Sequence, residues 1–102
     1  MSAYLIVDVA AIHDEPAYAA YRSRVSAGIR AAGGCYLARG GTVDVLEGKW
    51  QPGRVVVVRF DSIGAARRWW ASGEYHDLKR MRQASTSTNM IVVEGLPEGV
   101  EA

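Results

Sequence analysis

Four consecutive valines, Val55 to Val58, sit inside the segment RVVVVRF at positions 54–60. Successive side chains of a strand point to opposite faces, so two of the four must leave on each side. β-Branched residues also favour extended backbone, where their stiff side chains pack well. The segment is therefore expected to be the central strand of a sheet covered on both sides. That demand excludes a sheet backed by solvent and raises the question of what covers the second face.

The other elements follow from local signals. Ala3 to Val9 (AYLIVDV) is apolar on both parities and reads as a second strand of the same kind. Asp14 offers a helix N-cap and Pro16 suits a first turn. Tyr18, Tyr21, Val25, Ile29 and Ala32 then recur at three- and four-residue steps, which predicts one buried helical stripe. Gly33 and Gly34 end that helix. Cys35 to Glu47 is expected to be a strand with a bulge or close approach at Gly40 and Gly41, and Gly48 to Gly53 the turn into the valine strand. Ser62 caps a second helix whose buried side is Ala65, Ala66, Trp69 and Trp70. Ser72 and Gly73 interrupt it, a further helical piece runs from Glu74 to Ala84, and Thr86 to Thr88 link it to a last strand, Asn89 to Glu94.

Strand, helix, two strands, helix, strand is the split βαβ order of ferredoxin-like domains. The expected fold class is α+β: ferredoxin-like βαββαβ, with a four-stranded antiparallel sheet in the order 4-1-3-2 and both helices on one face. Valines and isoleucines left bare on the other face, at ~1.5–3 kcal/mol of burial each, would form a large apolar patch. A second copy packed face to face is the simplest cover, so a homodimer is expected.

A chain of 102 residues is one domain, large enough to bury roughly 65% of its unfolded surface without metal or disulfide. Residues 1–95 are expected to form it, and 96–102 a solvated tail. A net charge of +1 argues for neither a nucleic-acid nor a membrane partner. Arg67, Arg68, Lys79, Arg80 and Arg82, offset by Glu74 and Asp77, read as a solvated helix face. The first apolar run has no basic segment before it and contains Asp8, so neither a signal peptide nor a spanning helix is expected. With Cys35 as the only cysteine no internal disulfide can form, and a cytoplasmic location is expected.

Candidate site residues are polar groups that a core would not choose. Arg39, beside two glycines in a strand, suits holding a carboxylate or enolate oxygen in the helix–sheet space; pairing with a neighbouring acid or plain solvation is the competing reading. Asp8 in its apolar strand is a candidate proton acceptor, against a strand-end position in water. Glu47 is a second candidate acid, although Glu47 and Arg54 flank the turn and a cross-strand ion pair is the simpler reading. Tyr18 and Tyr21 lie on the inward stripe, where a phenol can touch a ligand as well as fill the core. Neither His13 nor His76 has a partner at ligand spacing, so no metal and no haem or other cofactor is expected. No nucleophile motif is present, and Cys35 lacks an evident histidine partner.

The segments GGCYLARGG (33–41), VLEGKWQPGRVVVVRFDS (45–62), AARRWWASGEY (65–75) and IVVEG (91–95) resemble the bacterial family known as domain of unknown function 1330. The resemblance spans Tyr4 to Gly95. It places Glu47, Gly48, Trp50, Pro52 and Arg54 in a recurrent EGxWxPxR stretch, and Ser72, Glu74 and Tyr75 in an SxEY stretch. It implies membership of the dimeric α+β barrel superfamily, in which two ferredoxin-like sheets pack into one barrel. Relatives there include cofactor-free monooxygenases, small isomerases and haem-degrading enzymes. Two functions are expected to compete. One is a small cofactor-free enzyme acting on an acidic or enolisable organic molecule. In it Arg39 holds the anionic oxygen and Asp8 or Glu47 moves a proton, with Tyr18, Trp50, Ser72 and Tyr75 around the substrate. The other is a non-catalytic ligand-binding or accessory homodimer.

Overall fold

The computed structural model of the protein describes residues 1–97, 99 and 100. Strand β1 (Ala3–Ile12) lies inside the sheet, between β3 (Arg54–Phe60) and β4 (Thr86–Glu94), and β2 (Cys35–Arg39) lies beyond β3. All three pairings are antiparallel. The order β2-β3-β1-β4 is the expected 4-1-3-2 read from the other edge.

Helices α1 (Glu15–Ala31), α2 (Ile63–Ala71) and α3 (Gly73–Ser85) begin where side-chain caps are available. The Asp14 carboxylate accepts from the Ala17 amide, the Ser62 hydroxyl from that of Ala65 and the Ser72 hydroxyl from that of Tyr75. Each cap satisfies an amide that the helix cannot, worth about 0.5–2 kcal/mol. Past the C-cap Ala32 the chain turns away at Gly33, whose φ of 86° favours glycine, and the Gly34 amide donates back to the Ile29 carbonyl at 2.8 Å.

Register decides which valine faces where. Val56 and Val58 share a side with Val7 and Leu5 of β1, and there meet Tyr18, Tyr21, Val25 and Ile29 of α1. Val58 and Phe60 are wholly buried. Trp69 of α2 and Tyr75 of α3 close this core, their rings 4.1 Å apart. Val55 and Val57 point the other way, with Asp8 and Ile6 opposite them on β1. Among the described residues no helix covers that side.

Four expectations are corrected, the first being Trp70, expected on the buried side of α2 but 43% exposed. Strand β2 stops at Arg39 instead of reaching Glu47, because a bulge between Tyr36 and Ala38 and the positive φ of Gly40 turn the chain off the ladder. Residues 41–50 are all exposed, and the connection is a long loop rather than a tight turn. Thr86, Ser87 and Thr88 belong to β4, since Thr86 pairs with Ile12 and Thr88 with Val9. Arg82 is not on the solvated face: it is 5% exposed, seven residues after the buried Tyr75 and on the same side of α3. Of the tail expected over 96–102, residues 98, 101 and 102 lie outside the described residues, and Leu96, Pro97, Gly99 and Val100 are exposed.

Candidate functional site

Between the sheet and the helices lies a cavity of about 40 Å³. Arg39 and Arg54 reach it from the strands, Tyr18, Tyr21 and Arg22 from α1, and Arg82 from α3. Its other walls are aliphatic or aromatic, and none of the described lining residues is acidic. The sheet register explains the meeting of the two strand arginines. Arg39 pairs with Val56, and Arg54 is two residues from Val56 on the same parity, so both project to the helix side.

Each arginine is held differently. Arg39 donates from Nη2 to the Arg22 carbonyl at 2.9 Å, with its guanidinium 4.5 Å from the centre of the Tyr36 ring. That contact orients it at the mouth, where it remains exposed. The expected Glu47–Arg54 pair does not form. Glu47 is exposed in the loop, whereas the Arg54 guanidinium lies directly on Gly40, where an added methyl would collide with it. Arg54 Nε is buried and, among the described residues, meets no acceptor. An unmet buried donor costs about 1–3 kcal/mol, more when charged.

Deeper in, Arg82 Nε donates to the Tyr75 hydroxyl at 3.3 Å, and the Tyr75 and Tyr21 hydroxyls are 2.8 Å apart. Arginine can only donate, so Tyr75 accepts from Arg82, and its second lone pair lets it accept from Tyr21 as well. Burial pushes the Tyr21 phenol above its ordinary value, and the neighbouring Tyr75 adds to this while Arg82 opposes it. Tyr21 therefore stays protonated. The cavity gathers arginine donors with no carboxylate among its described lining, which suits an oxygen carrying negative charge.

The sequence candidates separate into three places. Arg39 and Tyr18 line the cavity. Ser72 and Tyr75 border a larger groove of about 420 Å³ between the helices, where Ser72 also donates to the Trp69 carbonyl at 2.7 Å. Both have local structural duties there, the first as a cap and the second as a core ring. Asp8, Glu47 and Trp50 are absent from both pockets' walls. Asp8 is not at a strand end in water but 5% exposed, on the sheet face away from the helices, accepting from Trp50 Nε1 at 3.0 Å and the Gly53 amide at 2.8 Å. It fastens the end of the long loop. Arg22, Arg54 and Arg82 are charged lining residues that sequence reasoning passed over as ligand groups. For Arg82, the seven-residue step from Tyr75 was a usable signal; for Arg54, the parity shared with Val56 and Val58 was. Among the described residues no three His, Cys, Asp or Glu side chains come together, and no helix is long and apolar enough to cross a membrane.

The sequence pattern of the family described as Domain of unknown function (DUF1330) matches residues 2–96. No curated protein matches. Among solved structures, a protein of unknown function from Rhodopseudomonas palustris, RPA0582, is similar with a TM-score of 0.77 at 18% identity, over 94% of this chain and 83% of that one. SnoaB, a cofactor-independent oxygenase from Streptomyces nogalater, is similar with a TM-score of 0.64 at 11% identity, over 98% of each chain. At these identities the likeness is one of fold.

Proposed function

This chain belongs to the DUF1330 family, and from that premise we propose that it is a small cofactor-free enzyme acting on an acidic or enolisable organic molecule. The observation that carries the reading is the cavity between helices and sheet, lined by Arg22, Arg39, Arg54 and Arg82 with no acid among its described residues. When a carbon beside a carbonyl loses its proton, charge gathers on the carbonyl oxygen. Donors already aimed at that oxygen lower the barrier, and one such donor is worth about 10²–10³ in rate. Tyr18 and the ring of Tyr21, 5.9 Å apart, supply a flat wall for the organic body. Asp8 and Glu47 have no step in this cavity, so the proton leaves through the mouth to water. SnoaB, with cofactor-independent chemistry on a similar fold, supports the class by analogy only.

The protein works as a homodimer in this proposal, forming the barrel through the sheet face away from the helices. Ile91 and Val93 on that face are 60% and 47% exposed, and Val43, Val45 and Leu46 of the adjoining loop are exposed too. A stable interface needs about 800 Å² per partner, and this apolar face offers the residue types that interface cores favour.

The test follows deuterium uptake from heavy water into the enolisable position of pyruvate and of 2,4-pentanedione. The protein is expected to speed uptake of at least one of them, and Arg39→Ala to slow it about 10²-fold with the fold retained. Acceleration of neither would overturn the enzyme reading. A second reading, a dimer that holds such a molecule without transforming it, is favoured by the lack of a carboxylate or histidine among the cavity's described lining residues. Saturable binding without exchange is its signature.

A further inference from the structure

We infer that Arg54, seated on Gly40, is the residue that binds the carboxylate of a short monocarboxylic acid inside the cavity. This deepens the cavity reading above and rests on it. Three observations bear on Arg54 separately. Its Nε is buried and meets no acceptor among the described residues, although it lies at the cavity wall. Its guanidinium has a built seat: Gly40 has a φ of 72°, and any Cβ there would occupy the place of the guanidinium. Glycine at 40 thus serves both the turn of the chain and the position of the arginine. The cationic side chains of Arg22, Arg39 and Arg82 share the lining with no acid among the described residues to offset them. Like charges gathered in a partly buried space are relieved by an anion.

The size of the space chooses among anions. A water needs about 10–15 Å³ of such volume, so about 40 Å³ takes roughly three groups of that size. A planar carboxylate with its attached carbon is closer to that size than a tetrahedral phosphate with its four oxygens. The edge of a guanidinium formed by Nε–H and one Nη–H also matches the two oxygens of a carboxylate. A longer acid keeps its head at Arg54 and runs its body out past Arg22 and Arg39.

Acetate and acetamide have the same shape and differ in charge, which makes them the probes. The side-chain Nε–Hε signals of the full chain, labelled with ¹⁵N, are followed by NMR during titration with each. Acetate is expected to move the Arg54 signal saturably and acetamide to leave it in place. Arg54→Lys is expected to weaken acetate binding about tenfold, and Arg54→Gln to abolish it, with unchanged amide spectra elsewhere. If acetate moves Arg82 but not Arg54, and Arg54→Gln binds as well as the parent, the inference is overturned while the cavity reading stands. If acetate moves no signal of any cavity residue, both fall. The measurement on the parent protein needs no variant to fold.

Discussion

Asp8 and Arg54 are near neighbours across the β1–β3 ladder: Asp8 pairs with Val55, and Val9 with Arg54. They carry opposite charges, yet the alternation of side chains sends them to opposite faces of the sheet, so they cannot meet. On the face away from the helices, Asp8 has two donors from the loop, Trp50 and Gly53. On the helix face, Arg54 Nε has no acceptor among the described residues. The contrast separates two uses of a charge in an apolar strand. A group whose hydrogen bonds are complete holds the chain in place, and a group held rigid with a bond to spare is equipped to hold something else.

The two faces should respond very differently to the same added charge. Val58→Asp buries an unpaired carboxylate in the core and is expected to cost more than about 4 kcal/mol, abolishing the cooperative thermal transition. Val57→Asp, one residue away, is expected to leave the protomer folded and to shift the proposed dimer to monomer in sedimentation; an unchanged dimer would mean that this face is not the seam. Next comes the seat of Arg54. Gly40→Ala forces an L residue into the left-handed region and displaces the guanidinium, an expected loss of about 2–3 kcal/mol by denaturant titration. Gly41→Ala, where an added methyl meets nothing within 4 Å, is the control and is expected to stay within about 0.5 kcal/mol of the parent.

On the other face, Asp8→Ala removes both acceptors of the loop and is expected to cost about 1–3 kcal/mol, with faster amide exchange at Gly53. Exposed Glu47→Ala is its control, expected to change stability by less than about 0.5 kcal/mol. Among the hydrogen-bonded groups the smallest effect belongs to the phenol chain. Tyr21→Phe is expected to cost about 1 kcal/mol at neutral pH. The Tyr21 phenol is raised in the folded state, so its contribution is complete below the ordinary value of 10.0 and is lost as pH rises beyond it. The parent should therefore lose stability above pH 10 by up to about 1.4 kcal/mol per pH unit more than Tyr21→Phe, measured by urea titration.

Elements that rest on local rules are legible in the sequence. The four valines mark an interior strand, Asp14, Ser62 and Ser72 mark helix starts, and paired glycines mark a helix end, because capping and side-chain alternation act within a few residues. The site is less legible. Arg39 stands out as a misfit in its strand, but its neighbours Arg54 and Arg82 come from segments distant in sequence and are brought to it only by sheet register and helix rotation. The Glu47–Arg54 pairing fails for a definite reason: it needs a ladder running to Glu47, and the bulge and Gly40 end that ladder at Arg39. Distance from the strand end misplaces Asp8, whose burial depends on a loop arriving from residues 50–53.

The placement of β1 has a kinetic consequence. This first strand pairs on one side with Arg54–Phe60 and on the other with Thr86–Glu94, so Ala3 waits for Glu94, roughly ninety residues later. At about 5–20 residues per second on the ribosome, its apolar run has no sheet partner on that side for roughly 5–20 s. The β2–β3 hairpin can form meanwhile, but it must close a long loop before its ladder rewards it. Folding of such a mixed domain belongs between the microsecond-to-millisecond range of helical bundles and the millisecond-to-second range of all-β barrels. During that interval the apolar run Leu5, Ile6 and Val7 is open to mispairing on its β4 side.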